Sequence, residues 1–278
     1  MVHAPLTTAP GGAPAAAGGP PALLLVAHGS RDPRHAATVT TLTARVRRLL
    51  PGVRVEAAYL DFDVPSVHGA LGRLYADGVR EVVAVPLLLT RAFHAKTDIP
   101  AVLAEATSAL PDLAVRQAEV LGPHPLLTAA LERRLRAAGL SPGAAPTTGV
   151  VLASAGSSDP EASAVIAEIA REWRRTTGWC AVRPAFASAA QPRTADAVRG
   201  LRAAGVRRVV VAPYVLAPGR LPDRIAAGAR EGGADVLAPV LGAAPEVARV
   251  VAERYKRCPF TLPAPGMGAA LAHPAPLG

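Results

Sequence analysis

The stretch LLLVAHGSRDP runs from Leu23 to Pro33 and returns as VVLASAGSSDP from Val150 to Pro160. The second copy lies 127 residues after the first (160 − 33). The segment GVREVV at Gly78–Val83 returns as GVRRVV at Gly205–Val210 with the same offset. Several matches in order at one spacing indicate an internal duplication, so the chain carries two copies of one folding unit.

Each copy alternates short apolar runs with longer stretches that contain polar residues. The short runs, rich in Val and Leu, predict buried parallel strands at Leu23–Ala27, Val53–Leu60, Glu81–Leu88 and Leu113–Glu119. The longer stretches predict helices at His35–Leu50, Val64–Ala76, Lys96–Ala109 and Pro125–Ala138. This alternation predicts an α/β fold with two similar domains, each a parallel sheet flanked by helices, related by a pseudo-twofold axis.

The duplication also predicts how the chain is divided. We expect a disordered leader at 1–21, an N-terminal domain at 22–140, a linker at 141–148, a C-terminal domain at 149–258 and a disordered tail at 259–278. Leader and tail are rich in small residues and proline, with too few large apolar side chains to form a core. With 278 residues, the chain is long enough for each domain to bury its own core.

The composition argues against several classes of function. The net charge is +9, but only Lys96 and Lys256 of the 30 basic residues are lysines, which is typical of GC-rich coding. Aromatic residues are 4% of the chain and do not interleave with basic runs, so no nucleic-acid partner is predicted. No apolar run approaches the roughly 20 residues that span a bilayer, so no membrane partner is predicted either. Cys180 and Cys258 form no disulfide framework, which predicts a cytoplasmic location.

Chemically capable side chains follow three predicted strands of the first copy. His28 follows the first strand, Asp61 the second and His94 the third. With the strand order 2-1-3-4, the order reverses between the first and third strands, and ligands bind beyond the strand ends at such a reversal. Two imidazoles and a carboxylate at one crevice predict a site for a divalent first-row metal.

The second copy lacks all three of these groups. Ala155, Ser188 and Leu221 stand at the equivalent positions, 127 residues later in each case. The neighbouring Gly-Ser and Asp-Pro pairs persist, so the scaffold is kept while the chemistry is lost. This pattern predicts one functional site per chain, in the N-terminal half, with the C-terminal half serving as a wall or lid.

Three segments resemble the signatures of the sirohydrochlorin chelatases, a family of class II, ATP-independent tetrapyrrole chelatases. They are AHGSRDP at Ala27–Pro33, AYLDFDVPSV at Ala58–Val67 and PLLLTRAFHAKTDIP at Pro86–Pro100. The resemblance covers both copies and points to the long, duplicated form of the family. It implies a lyase that inserts Fe²⁺ or Co²⁺ into sirohydrochlorin for sirohaem or cobalamin biosynthesis, with the metal as a substrate and no prosthetic group.

The resemblance also implies roles for individual residues. His28 and His94 would bind the incoming metal and assist deprotonation of the macrocycle. Asp61 is the third catalytic candidate, because it stands where the family often has a glutamate that is one methylene longer. Phe93 departs from the small residues common before the second histidine, which implies a difference in the shape of the pocket.

The implied substrate carries many carboxylates, so polar and cationic groups beside the strand ends are candidate anchors. In the first copy these substrate-binding candidates are Ser30, Arg31, Arg91 and Lys96. Ser30 is also positioned to cap the helix that follows it. Arg220 and Arg224, after the third strand of the second copy, are expected to face them. No Gly-Lys-Ser/Thr phosphate loop occurs, so we expect no use of ATP.

The sequence also leaves open the roles of other histidines and two alternative functions. His35 and His68 fall in predicted helices and are expected to be surface or packing residues, while His124 is a weaker candidate for a secondary metal contact. The alternative function is a non-catalytic carrier of metal or tetrapyrrole, and a third is an enzyme acting on a neighbouring nickel or precorrin-type tetrapyrrole. The choice of metal stays open because Fe²⁺, Co²⁺ and Ni²⁺ all accept imidazole ligands. Because one chain holds both copies, a monomer is expected.

Overall fold

A computed structural model of the chain describes residues 19–91, 97–141 and 143–260. The strands are β1 (Ala22–Ala27), β2 (Val55–Tyr59), β3 (Glu81–Pro86), β4 (Ala114–Gln117), β5 (Thr148–Ser154), β6 (Ala181–Phe186), β7 (Arg208–Tyr214) and β8 (Val236–Leu237). The helices are α1 (Pro33–Leu49), α2 (Val67–Ala76), α3 (Ile99–Ser108), α4 (Pro125–Ala137), α5 (Pro160–Thr177), α6 (Thr194–Ala203), α7 (Arg220–Gly232) and α8 (Pro245–Lys256). None of the helices in the described ranges is both long and apolar enough to cross a bilayer.

The strands form two parallel sheets of four strands each. Their orders are β2-β1-β3-β4 and β6-β5-β7-β8, so the predicted fold class is confirmed, and the first sheet has the order 2-1-3-4 on which the predicted site depends. The order reverses between β1 and β3 in the first sheet and between β5 and β7 in the second. The second sheet is weaker at its far edge, because β8 contributes only two residues.

The repeated Asp-Pro pair starts the first helix of each copy. The Asp32 carboxylate accepts a hydrogen bond from the backbone N–H of Arg34 at 3.0 Å, and Asp159 accepts one from Glu161 at 2.9 Å. The prolines that follow occupy the first helical turn, where a missing N–H costs nothing. Helix α1 therefore begins at Pro33, two residues earlier than the sequence pattern predicts.

The two halves share one of their hydrophobic cores. One face of each sheet is covered by helices of its own half, in clusters that contain Leu71 and Leu201 respectively. The other faces meet in a single cluster that joins Leu25 of the first half to Trp173 and Val250 of the second. The expectation that each domain buries its own core is therefore wrong for this face.

The last helix of each half lies over the sheet of the other half. Helix α4 packs against β7 and α8, while α8 packs against β3, α1 and α4. Polar contacts also join the two halves. The Arg133 guanidinium in α4 donates two hydrogen bonds to the Glu246 carboxylate in α8 at 2.8 and 3.0 Å. The Trp173 indole N–H donates to Glu132 at 2.9 Å. These contacts join the repeats into one packed unit.

The described chain extends slightly beyond the predicted domain limits. The Tyr255 hydroxyl donates to the carbonyl oxygen of Pro21 at 2.7 Å, and Arg116 donates to that of Pro259 at 2.9 Å. Arg116 also lies 5.0 Å over the Phe260 ring. Pro259 and Phe260, predicted to start the tail, are therefore in contact with the first half, and Thr148, predicted to end the linker, begins β5. The rest of the predicted tail and residues 1–18 of the leader lie outside the described residues.

Candidate active site

His28 is held where β1 ends by an interlock between two loops. The backbone N–H of Asp61 donates to the carbonyl oxygen of His28 at 2.9 Å. Gly29 has φ +93°, and a Cβ atom added there would lie 1.7 Å from the carbonyl oxygen of Asp61. Only glycine combines this backbone angle with this close approach. The loop after β2 therefore fixes the position of the loop that carries His28.

The second copy repeats this interlock without the histidine. Gly156 has φ +87°, and an added Cβ would lie 1.9 Å from the carbonyl oxygen of Ser188. The N–H of Ser188 donates to the carbonyl oxygen of Ala155 at 3.0 Å. The interlock thus belongs to the scaffold, and the side chain at position 28 is what distinguishes the first copy.

A cavity of about 320 Å³ lies between the C-terminal ends of the two sheets. His28, His35 and Thr90 line it from the first half. From the second half it is lined by Ala155, Ala162, Phe186, Tyr214 and Leu221, among others. Ala155, Ala162 and Leu221 are the repeat equivalents of His28, His35 and His94. His28 and His35 therefore line the wall opposite their own repeat equivalents, and the second-half wall is apolar at the positions of Ala155, Ala162 and Leu221.

The predicted catalytic residues are placed as follows. His28 lies in the cavity wall, half-buried. The Asp61 side chain is exposed and is not among the described residues that line the cavity. His94 and Lys96 lie outside the described residues. Within residues 19–91, 97–141 and 143–260, no three His, Cys, Asp or Glu side chains converge on a metal-sized site.

His35 lies in the cavity wall, on the first turn of α1. Its side chain is 16% exposed, lines the same cavity as His28, and its Nδ1 atom lies 3.8 Å from an Asp63 carboxylate oxygen. Asp63 also accepts a hydrogen bond from the backbone N–H of Ser30 at 3.0 Å. Burial lowers the pKa of His35; the Asp63 charge opposes this shift and the nearby His28 adds to it.

The repeat carries a signal for this pair as well. Ala162 and Ala190 occupy the positions 127 residues after His35 and Asp63. Both groups are thus lost in the second copy together with His28. Comparing every polar residue near the strand ends, and not only those directly after the strands, would have identified them.

Several predicted substrate-binding residues share one groove beside the cavity. Ser30, Arg31, Arg220 and Arg224 line it together. Arg31 is exposed and lies 5.2 Å over the Phe62 ring. The Ser30 hydroxyl oxygen accepts a hydrogen bond from the N–H of Asp32 at 3.1 Å, so it also supports the start of α1. Arg91 lies elsewhere, in a groove with Glu161 and Val165.

Arg34 joins the two acidic residues of the groove across the two halves. The Arg34 guanidinium lies 2.5 Å from the Asp32 carboxylate and 2.9 Å from that of Asp223 in α7. Both acidic groups of the groove are thereby paired with an arginine. The three arginines that line the groove, Arg31, Arg220 and Arg224, therefore leave it with a positive charge.

His124 and His68 have structural partners. The His124 Nδ1 atom accepts a hydrogen bond from the N–H of Leu126 at 3.1 Å, and its Nε2 atom lies 3.0 Å from Glu253 in α8. Both ring nitrogens are therefore engaged in capping α4 and joining the halves, which argues against a metal contact. His68 lies 3.7 Å from Glu105, away from the cavity.

The chain is similar to known proteins along most of its length. The CbiX family model matches residues 22–138 and 149–258. A sirohydrochlorin cobaltochelatase from Priestia megaterium is 29% identical over 204 residues, which cover 73% of this chain and 66% of the relative. A sirohydrochlorin ferrochelatase from the same organism is 26% identical over 204 residues, covering 73% and 76%.

The fold has a solved counterpart. The structure of SirB from Bacillus subtilis with Fe³⁺ superposes with a TM-score of 0.74, at 23% identity, over 86% of this chain and 95% of that one. At this identity the similarity establishes the two-sheet architecture alone. The family model covers both repeats, and so the chain belongs to the CbiX family, as its motifs predicted.

Proposed function

We propose that this chain catalyses the ATP-independent insertion of Fe²⁺ or Co²⁺ into sirohydrochlorin. The observation that carries the proposal is the cavity between the two sheets, which has histidines on one wall and mostly apolar side chains on the other. Membership of the CbiX family and the names of two relatives, a cobaltochelatase and a ferrochelatase, support the same reaction. The metal ion is a substrate of this reaction. The products are the metallated macrocycle and two protons.

His28 and His94 act as the pair that receives the metal. Neutral imidazole binds divalent iron and cobalt and is also a base near neutral pH, so it can hold an ion and release it to a stronger ligand. The loop interlock at Gly29 supports the role of His28, because it holds the histidine at the sheet reversal. Asp61 joins the pair as a nearby carboxylate that attracts the cation.

The macrocycle lies against the apolar wall of the second half. Phe186, Leu216 and Leu221 offer a surface for its faces without competing for the metal. Its carboxylates extend into the neighbouring groove, where Ser30, Arg31, Arg220 and Arg224 bind them. Arg91 and Lys96 anchor carboxylates that extend to the other side.

The decisive experiment follows the visible spectrum of sirohydrochlorin mixed anaerobically with Fe²⁺ or Co²⁺ and the purified protein. We expect wild type to accelerate insertion, and H28A to lower the rate about 100-fold or more while keeping the fold. H68A is the matched control, since His68 pairs with Glu105 outside the cavity, and it should retain the full rate. A wild-type rate equal to the uncatalysed rate refutes the proposal.

The same experiment separates the enzyme from a carrier. A carrier binds metal or sirohydrochlorin stoichiometrically without turnover, and H28A then changes affinity alone. Running Fe²⁺, Co²⁺ and Ni²⁺ side by side gives the metal preference, and a panel of neighbouring tetrapyrroles gives the substrate preference. Product identity then distinguishes supply of sirohaem from supply of cobalamin.

Three further expectations belong to this proposal. The repeats 22–140 and 149–258, joined at 141–148, act together as a monomer, because each supplies one wall of the cavity. Sedimentation at assay concentrations tests the monomer. A cytoplasmic location and the absence of nucleic-acid or membrane partners stay predictions, which fractionation of the source cells tests.

A further inference from the structure

We propose that His35, supported by Asp63, is the group that accepts a proton from the macrocycle during metal insertion. This inference rests on the proposed chelatase function and adds two residues to which neither the strand-end pattern nor the family resemblance gives a role. It separates two tasks: His28 and His94 handle the metal, while His35 handles a proton.

The placement of His35 carries the inference. Its ring lines the same cavity as His28, and His35 lies on the first turn of α1, the helix that follows the loop carrying His28. Its Nδ1 atom faces Asp63 at 3.8 Å and has no hydrogen-bond partner within the described part of the chain. Protonation of the ring would turn this contact into an ion pair in a poorly solvated place, where it is stronger than in water.

Asp63 is held rigidly enough to serve this purpose. The backbone N–H of Ser30 donates to its carboxylate at 3.0 Å, and its side chain is 17% exposed. Phe62, just before it, has φ +63°, a backbone conformation that turns Asp63 back towards the β1–α1 loop. The carboxylate is therefore oriented before any proton arrives, so little reorganisation is needed.

The duplication provides an independent argument. His35 and Asp63 become Ala162 and Ala190 in the second copy, although the backbone of both loops is retained. Ala189 even keeps the positive φ of Phe62, at +58°. A pair needed only to hold these loops would be needed in both copies. Its loss with His28 indicates that the pair belongs to the chemistry.

The proton moves from a ring nitrogen of the macrocycle to His35. One pyrrole-type N–H bond of the macrocycle breaks, and its electron pair stays on nitrogen to bind the incoming metal. The proton forms a new N–H bond at His35 Nε2, and the imidazolium is stabilised by the Asp63 carboxylate. The proton then passes to water and the imidazole is restored. The second proton of the macrocycle leaves by a separate route.

The pH dependence should report this step. The titratable groups that face His35 are His28, Asp32, Tyr59 and Asp63 from its own half and Tyr214 across the cavity. The active form is the neutral imidazole, so the rate should fall as pH drops through the pKa of His35. Burial already lowers that pKa, which keeps the neutral form populated at neutral pH.

The test compares H35Q and D63N with wild type, and uses H68Q as the matched histidine control. We expect H35Q to lower kcat about 100-fold while the Co²⁺ affinity measured by calorimetry without sirohydrochlorin is unchanged. D63N keeps an oxygen for the Ser30 N–H but removes the charge. It should therefore lower kcat by less than H35Q does and move the acid limb of the pH profile to lower pH. H68Q should match wild type.

Each other outcome overturns the inference. Unchanged kcat in H35Q removes His35 from the reaction, while an active wild type leaves the proposed function intact. Weakened Co²⁺ binding in H35Q with an unaltered pH profile identifies His35 as a metal ligand and not a proton acceptor. A D63N profile identical to that of wild type removes the role of Asp63. An inactive wild-type protein refutes the proposed function and this inference together.

Discussion

Replacing Gly29 with alanine tests the interlock that positions His28. An L-residue at φ +93° costs about 1 to 2 kcal/mol in backbone strain. The new Cβ would also lie 1.7 Å from the carbonyl oxygen of Asp61, far inside the 3.0 Å limit of real contacts. Relieving this overlap adds about 1 to 3 kcal/mol. It also breaks the hydrogen bond from Asp61 to His28, which contributes about 1 kcal/mol. G29A should therefore lower the free energy of unfolding by about 3 to 6 kcal/mol.

Two matched variants separate strain, overlap and function. Gly78 has a similar φ of +85° with nothing within 4 Å of an added Cβ, so G78A should cost about 1 to 2 kcal/mol. Gly156 repeats the overlap in the second copy, at 1.9 Å from the carbonyl oxygen of Ser188. G156A should destabilise the fold about as much as G29A does. Co²⁺ affinity per folded molecule should fall in G29A alone, because only the first copy carries His28.

The measurements are urea unfolding followed by circular dichroism and Co²⁺ calorimetry under conditions where each variant is folded. The free energy of unfolding gives the cost of each substitution, and calorimetry reports the position of His28. If G29A costs no more than G78A, the overlap does not constrain the loop. If G156A weakens Co²⁺ binding as much as G29A does, the asymmetry of the site is wrong. Either result refutes the reasoning.

Two further predictions concern the shared core. The hydrogen bonds from Arg133 lower the pKa of Glu246, so this pair stabilises the folded state above the unfolded-state pKa and loses its effect as pH falls through the folded-state pKa. E246Q should therefore be less stable than wild type by about 1 kcal/mol at pH 7, with a smaller difference below about pH 4 by urea unfolding; a difference independent of pH would contradict the ion pair. A fragment of residues 22–140 leaves α4 without β7 and α8, so it should bind a hydrophobic dye or self-associate. A monomeric fragment with a single cooperative unfolding transition and no dye binding would contradict the shared core.

Much of the fold follows from local patterns. The buried apolar runs, the Asp-Pro helix starts and the repeat spacing predict two parallel α/β units, because each depends on residues close together in the chain. His28 was identifiable for a related reason: the duplication supplies an internal comparison in which Ala155 stands at its place. The argument against nucleic-acid and membrane partners uses the composition of the whole chain.

His35 and Asp63 were missed because their meeting depends on two loops that are distant in sequence. His35 lies on α1, and the position of a residue in a helix does not by itself show whether its side chain faces a cavity. Asp63 reaches it through the positive φ of Phe62, a conformation that the residue type does not predict. The groove shared by Arg31 and Arg224 likewise requires the two halves to be packed together.

The sequence was therefore sufficient for the repeat, the alternation of strands and helices and the histidine at the first strand end, since these depend on short-range patterns and on comparison within the chain. The exchange of α4 and α8 between the halves, the position of the cavity and the pairing of His35 with Asp63 required the tertiary structure. These three features required the tertiary structure for the same physical reason, because each depends on which surfaces of the two halves become buried against each other. That choice is made by shape and area over the whole interface, and no single stretch of residues encodes it.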